Sequence, residues 1–580
     1  MKLPWVVVSL AIACSSPARQ GGSDRPTAPR TRGTITLSII GTNDLHGALE
    51  RLPLLAGYIR NLRDVREVEG GGVVVVDAGD MFQGTLESNL SEGEHVVRAY
   101  NQIGYTAVAL GNHEFDYGPA GPAPIAASLE DDPRGALKAR AQQAAFPMLT
   151  ANIDDKTTGA RIKWPNMPAS VLVEVAGINV GIIGVSTEAT PHTTMPANFV
   201  GLQMAAPATR ITEEAKALRA KGAQVIVVTA HIGTSCKSFD DPNNLSSCNH
   251  EEELFKLIGD LPRGMIDVIV GGHTHAGIAH RINDIAVIES FSSGRAFGRV
   301  DLRISPNGHI SAVNIHKPQP ICEGENEGNP IPVAACKPSD YERKPVVADP
   351  AVQAIVDDAL RRAGARRGEK LGVTLVGTVS KAYGSESAVG NLFTDLMRAA
   401  RPEAHVAVTN GGGLRADLPA GELTYGQLFE AMPFDNRFAL VDLTGADLRK
   451  MVSSNLQRGG GILSWSGLAA KARCKAGKLD IAVTIGGKPL VEAAKYKLVT
   501  SDFLASGGDG LIGRMKLPAG SVKLTDTVIR DAIADVLRKA KGAIDPATLF
   551  SSATKRLDYE GKRPVECAAT PPATNQETPE

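Results

Sequence analysis

Aromatic side chains are scarce: they make up 4% of the 580 residues, and there are only 3 Trp. A chain this poor in rings has few to spare, so a phenylalanine flanked by Gly or Pro in a loop stands out. Net charge is missing too. The 62 Lys and Arg nearly cancel the 63 Asp and Glu, for a formal charge of −1. That balance excludes the broad basic surface a nucleic-acid polymer needs, but leaves room for the few local cations that hold a small nucleotide. No apolar run reaches the length needed to span a bilayer. No cysteines stand at the C-x-x-C spacing of a structural zinc site, so metal binding by cysteine is rejected.

A chain of 580 residues is too long for one hydrophobic core and implies two large domains. Lys2 precedes an apolar stretch, Leu3 to Ala13, broken only by Pro4 and Ser9, which reads as the core of a signal peptide (residues 1–14). It ends in Leu10-Ala11-Ile12-Ala13-Cys14, similar to a bacterial lipoprotein cleavage box, with Ala11 where Leu is usual. The expectation is export and lipid anchoring to a bacterial membrane, facing the periplasm or cell surface; the alternative is an ordinary secretory signal cut nearby. Residues 15–33, rich in Ser, Pro, Gly and Arg, read as a disordered tether, and residues 568–580 as a disordered tail. Beyond Cys14 an even set of six cysteines remains, as expected of disulfides in an exported chain. Proximity favours Cys236 with Cys248 and Cys322 with Cys336, leaving Cys474 with Cys567.

From residue 34 onward, continuous β-branched runs alternate with amphipathic stretches. The runs Ile35–Ile40, Val73–Val76, Ala107–Leu110, Val180–Val185, Val225–Thr229 and Val268–Val270 predict strands buried on both faces of an α/β sheet. Glu213–Lys221 is among the predicted helices between them. Residues 317–347 read as a loop-rich region. Asp349-Pro350 then opens a helix over Ala351–Arg367, as Asp before Pro at the first turn should. The predicted organisation is a first domain over 34–344, a linker helix within 345–369, and a smaller α/β substrate-binding domain over 370–567.

Five motifs follow the strands of the first domain: Asp44-Leu45-His46, Gly79-Asp80, Gly111-Asn112-His113-Glu114, Ala230-His231 and Gly272-His273-Thr274-His275. Side chains at the carboxyl ends of strands in an open α/β sheet converge on one crevice. Each motif alone could be a cap or a turn. Together they hold five of the twelve histidines. Imidazole and carboxylate without thiolate suit catalytic Zn, Mn or Fe.

The fuller strings, Thr42-Asn43-Asp44-Leu45-His46-Gly47 and Gly111-Asn112-His113-Glu114-Phe115-Asp116, resemble those of the calcineurin-like metallophosphoesterases, and among them the 5′-nucleotidases and periplasmic UDP-sugar hydrolases. The resemblance runs from residue 34 to about 560. It implies a four-layer α/β/β/α first domain holding two divalent metal ions, Zn, Mn or similar. One would be held by Asp44, His46, Asp80 and His275, the other by Asp80, Asn112, His231 and His273. Such a pair lowers the pKa of a shared water and neutralises phosphate charge. His113 would act at the phosphoryl or leaving group, held by Asp116.

The same resemblance assigns the second domain to a nucleotide. Phe434 and Phe503 would sandwich the base, Asn410 and Asp509 would bond base and ribose, and Arg415, after the strand expected over Ala404–Thr409 and its Gly411-Gly412-Gly413 turn, would hold phosphate. One departure stands out. Relatives usually carry an arginine a few residues before Gly390-Asn391-Leu392; here Lys381 is the only cation in that segment. The expected activity is release of phosphate from nucleoside 5′-monophosphates or related nucleotides. A 2′,3′-cyclic-nucleotide phosphodiesterase with 3′-nucleotidase activity or a UDP-sugar hydrolase is the alternative, and a non-catalytic metal- or nucleotide-binding lipoprotein the remote one. The paired phenylalanines argue against a distant relative that hydrolyses thiosulfate–protein adducts. The sequence sets no oligomeric state.

Overall fold

The computed structural model describes residues 33–567, apart from positions 122, 129, 327, 328, 511 and 514. The signal segment with Cys14, the tether up to residue 32 and the tail from 568 lie outside the described residues. Among the described residues no helix is long and apolar enough to cross a membrane.

The β-branched runs form two six-stranded sheets. In the first, Ile35–Thr42, Gly72–Asp77, Ala107–Ala109 and Met148–Leu149 are parallel, and Ala296–Ile304 and Ile310–Pro320 extend it antiparallel. In the second, Ile178–Ser186, Val225–His231, Val268–Val270 and Ile285–Ser290 are parallel, with antiparallel edges Ser170–Val175 and Gly277–Ile282. Leu37, Ile39, Val74 and Val76 of one sheet share a core with Val180, Val225, Val227 and Val268 of the other. Helices cover both outer faces: Leu52–Val68 and Glu94–Ile103 on the first, Pro207–Ala220 and Glu253–Asp260 on the second. This is the α/β/β/α arrangement. Burial on both faces explains why the strands read as unbroken apolar runs.

Three local expectations shift. The helix expected over Glu213–Lys221 starts earlier, at Pro207, whose missing N–H costs nothing in a first turn. The strand expected over Ala404–Thr409 spans Val406–Asn410. The start of the loop-rich region is instead the end of the strand Ile310–Pro320. That strand is the edge of its sheet, where Pro318 and Pro320 need no outward partner.

Asp349 caps the helix Pro350–Arg367, its Oδ1 accepting from the N–H groups of Ala351 and Val352 at 3.0 and 3.1 Å. The helix belongs to two cores. Val352, Val356 and Ala359 pack into the first domain, and Ala363 into the second. At its end Arg367 pairs with Glu87 of one domain at 3.1 Å and with Glu430 of the other at 3.4 Å.

The second domain is built on the five-stranded sheet Leu463–Ser466, Val406–Asn410, Lys495–Ser501, Arg437–Thr444 and Val522–Val528, with three- and four-stranded sheets beside it. The disulfides are Cys236–Cys248, Cys322–Cys336 and Cys474–Cys567.

Candidate active site

All five motifs lie at carboxyl ends of strands, three on the first sheet and two on the second, so the site forms where the two sheets meet. Asp44, His46 and His275 form one group of candidate ligands, and Asp80, His231 and His273 another; within each, the ligand atoms lie within 4.8 Å of one another. Asp80 links the two: its Oδ2 is 3.1 Å from Nε2 of His231 and 4.0 Å from Nε2 of His46. Asn112 presents Oδ1 3.0 Å from Nε2 of His231.

The imidazoles are oriented from behind. Nδ1 of His46 donates to the Gln83 carbonyl at 2.9 Å, and Nδ1 of His231 to the Ala78 carbonyl at 2.8 Å. Each ring therefore turns its Nε2 toward the centre, the orientation a metal-binding histidine takes. Nε2 of His46 and Nε2 of His275 are only 2.9 Å apart.

The backbone is strained to bring them there. Asp44, His46, Asp80, His273 and His275 all have positive φ, between 50° and 80°. Such conformations cost roughly 1–3 kcal/mol each and persist only where surroundings enforce them. Here the loops lock one another: Asp44 N donates to the Gly79 carbonyl, His46 N to the Asp80 carbonyl, and His273 N to Asp44 Oδ2. The glycines make this possible. A Cβ on Gly111 would lie 2.1 Å from Asp80 Oδ1.

Several features fit a cation. Asp44 Oδ1 is buried without a hydrogen-bond partner. Burial pushes the Asp44 carboxyl up to about 7, with Asp80 adding to the effect against His231. Burial resists the charge of Asp80 too, but His231, His113 and His46 outweigh it and hold this carboxyl well below its usual range. Burial likewise resists protonation of His231, yet Asp80 pushes it up to about 10. The cluster recruits positive charge from whatever is at hand.

His113 stands beside the cluster, Nε2 4.0 Å from Asp80 Oδ2 and Nδ1 2.5 Å from Asp116 Oδ2. Both candidate metal groups open onto one cavity of about 2020 Å³, lined also by Asn410, Arg415, Phe434, Phe503 and Asp509. Arg415 reaches across from the second domain. Phe434 lies 5.4 Å from the His113 ring, and Phe503 covers Gly508, where a Cβ would fall 2.5 Å from its ring. Asn410 Nδ2 donates to Asp509 Oδ2 at 2.8 Å, so these two are bonded to each other. Every candidate site residue read from the sequence thus borders this one cavity or the clusters at its end.

Residues 37–277 match the calcineurin-like phosphoesterase family, and residues 369–517 match the 5′-nucleotidase C-terminal domain. The chain is a calcineurin-like phosphoesterase with a 5′-nucleotidase C-terminal domain. It is 28% identical to a 5′-nucleotidase of Vibrio cholerae, over 87% of this chain and 89% of that one. It is 26% identical to the protein UshA of Yersinia enterocolitica, over 82% and 86%. Among solved structures it resembles a 5′-nucleotidase precursor from Thermus thermophilus, with 23% identity and a TM-score of 0.68 over 90% of this chain and 99% of that one. It also resembles the sulfate thiohydrolase SoxB of the same organism, with 18% identity and a TM-score of 0.66 over 92% and 98%. At those identities the two structures share its fold. A calcineurin-like phosphoesterase domain implies divalent metal ions, and the two ligand groups are where such ions fit.

The phosphoesterase domain also uses residues that the sequence reading passed over. Glu114 accepts from the backbone N–H groups of Asp80, Met81 and Gly111 at 2.9, 2.7 and 2.6 Å, tying two ligand loops together. Glu289, buried at the end of an apolar strand, accepts from Thr274 Oγ1 at 2.6 Å between His273 and His275. Asp77 accepts from Gly79 N at 2.8 Å just before Asp80. For Glu289 and Asp77 the available signal was a carboxylate at the end of an apolar run, and for Glu114 its place in the Gly111-Asn112-His113-Glu114 motif. Arg295 of the phosphoesterase domain joins Lys381 of the C-terminal domain on the cavity wall.

Proposed function

We propose that this protein releases phosphate from nucleoside 5′-monophosphates outside the cytoplasm. The carrying observation is the single cavity bordered by both ligand groups at one end and by Arg415, Phe434 and Phe503 from the other domain. Two divalent ions of the Zn or Mn kind, held by Asp44, His46, Asp80 and His275 and by Asp80, Asn112, His231 and His273, would supply an activated water and neutralise charge at phosphorus.

The chain's own groups do the rest. Arg415 offers donors to the phosphoryl oxygens. His113 faces the site through Nε2, where negative charge develops on the leaving oxygen, and Asp116 on its other nitrogen stabilises the imidazolium. Phe434 and Phe503 take the base between them, with Asn410 and Asp509 at its edge. The domains would hold opposite ends of the substrate, 34–344 the phosphate and 370–567 the nucleoside, joined through the linker helix.

A second reading, a nucleoside diphosphate sugar as substrate, is favoured by the cavity volume and by the further cations Arg295 and Lys381 on its wall. Location outside the cytoplasm is supported by three disulfides, which need an oxidising compartment. Lipidation at Cys14 belongs to the same proposal; Cys14→Ser should then release the protein from membranes.

The test is phosphate release from AMP, 3′-AMP, 2′,3′-cAMP and UDP-glucose, with and without a chelator. AMP should be turned over best, and the chelator should abolish turnover. Turnover that ignores the chelator, or none with any nucleotide, overturns the reading.

A further inference from the structure

Asp116 does not stand alone behind His113. Its Oδ1 accepts two hydrogen bonds, from Thr194 Oγ1 at 2.9 Å and from Met195 N at 3.1 Å, which leaves Oδ2 to His113 Nδ1. A few residues on, Asn198 Nδ2 donates to the carbonyls of Phe115, Asp116 and Pro124 at 3.0, 3.3 and 3.1 Å, clamping the short turn His113–Phe115. The same segment reaches Asn112, whose Nδ2 donates to the Thr193 carbonyl at 3.0 Å and so turns Oδ1 toward His231. Thr194 and Asn198 are both fully buried.

The segment is itself fastened. Thr187 N donates to the His231 carbonyl at 3.1 Å, Thr187 Oγ1 to Glu253 Oε2 at 2.6 Å, and Thr190 Oγ1 to the Thr187 carbonyl at 2.7 Å. Its outer side, Thr190–Thr193, packs on Gly508–Gly510 of the C-terminal domain, the turn that carries Asp509. It therefore touches the His113–Asp116 pair, the ligand Asn112 and the nucleoside end of the cavity at once.

We infer that residues 187–198 form a brace that sets His113 for proton donation to the leaving oxygen, and that Thr194 is its positioning residue. The inference rests on the role proposed for His113. A buried threonine hydroxyl must find an acceptor, and the usual one is the carbonyl of its own preceding turn. Thr194 instead spends its donor on a carboxylate 78 residues away. With only Met195 N left on Oδ1, that carboxylate can pivot, and His113 loses the fixed acceptor that holds its ring. Outer partners of this kind typically carry a factor of about 10–100 in activity.

The experiment uses the full metal-loaded chain and two substrates: AMP, with a poor alkoxide leaving group, and p-nitrophenyl phosphate, whose leaving group needs little protonation. His113→Ala is the reference and should lose kcat far more on AMP than on the aryl ester. Thr194→Val should show the same selectivity with a smaller loss, roughly 10- to 100-fold on AMP. Its KM and its metal content per chain should be unchanged, and Thr194→Ser should restore the rate. Thr194→Ala carries the same expectation should the valine variant not fold. Selective loss in His113→Ala without it in Thr194→Val overturns the brace alone. Equal losses on both substrates in His113→Ala overturn the role of His113 and the brace with it. Loss of metal in Thr194→Val also contradicts the inference.

Discussion

Nη2 of Arg415 lies 3.2 Å from Nε2 of His46, a residue 369 positions earlier and in the other domain. The same nitrogen is 3.4 Å from Nε2 of His275. A guanidinium carries donors only, so it presents positive charge to the two imidazole nitrogens. Burial pushes the Arg415 guanidinium down, against the pull of Asp80 and Asp44. This contact links the C-terminal domain to the candidate ligand cluster of the phosphoesterase domain.

Arg415→Ala should therefore lower kcat/KM for AMP. A hydrogen bond to a charged group is worth about 1.5–3 kcal/mol, which corresponds to roughly 10- to 150-fold. Arg415→Lys should recover only part of the loss, because an ammonium is a point charge and not a fork. Steady-state kinetics of the two variants checks this.

Asp80→Asn should cut activity by orders of magnitude with the fold intact. The amide keeps an oxygen for His113 N, which now donates to Asp80 Oδ1 at 2.8 Å. What is lost is the charge shared between the two ligand groups. Phosphate release, read beside metal content and a melting curve, separates this outcome from unfolding.

Metal removal should lower Tm. Without an ion, Asp44 Oδ1 stays unsatisfied and the His46 and His275 nitrogens face each other. A ligand that binds only the folded state adds about 2.7 kcal/mol when present at 100 times its Kd. Adding Zn or Mn back to chelated protein should raise Tm with concentration; a Tm that ignores the metal contradicts the assignment.

Much of this site was legible in the sequence because each candidate ligand lies at or within five residues of the end of its strand. An apolar run ending in Asp, Asn or His shows both the strand and the group it presents. The left-handed backbone at Asp44, His46 and His273 could not be read, since it is imposed by loops meeting from two sheets and those residue types do not demand it. Glu114, Glu289 and Thr194 were hidden for a related reason: their partners are backbone groups or distant side chains. Phe434 and Phe503 owed their assignment to the family resemblance, and both border the cavity. The linker helix was legible from Asp349-Pro350, but its division between two cores was not, because Ala363 looks like any other small helical residue.

A separate prediction concerns stability away from the site. Burial alone would raise the Asp301 carboxyl, but hydrogen bonds from His316, from the Arg299 fork and from Ser38 outweigh it and hold it well below the usual range. A depressed carboxylate pKa stabilises the fold above the unfolded value of about 3.9, and that stability is lost as pH falls through the folded value. Asp301→Asn should thus be less stable than wild type at neutral pH. The gap should narrow below about pH 4, as thermal unfolding of metal-free protein across a pH series would show.

The central claim is that one cavity joins a dimetal centre to a nucleobase clamp, and the most direct test is a ratio. Phe434 and Phe503, both half-buried, are replaced by Ala singly and together. Kinetics are measured on AMP and on p-nitrophenyl phosphate, at a temperature where every variant stays folded. Stacking on an aromatic ring is worth roughly 1–3 kcal/mol per base, so each substitution should cost about 5- to 150-fold in kcat/KM for AMP. The base-free ester meets the same metals and should lose much less. A selective loss on the nucleotide is the predicted result; equal losses on both substrates would contradict the clamp and leave a phosphoesterase whose second domain does not read the base.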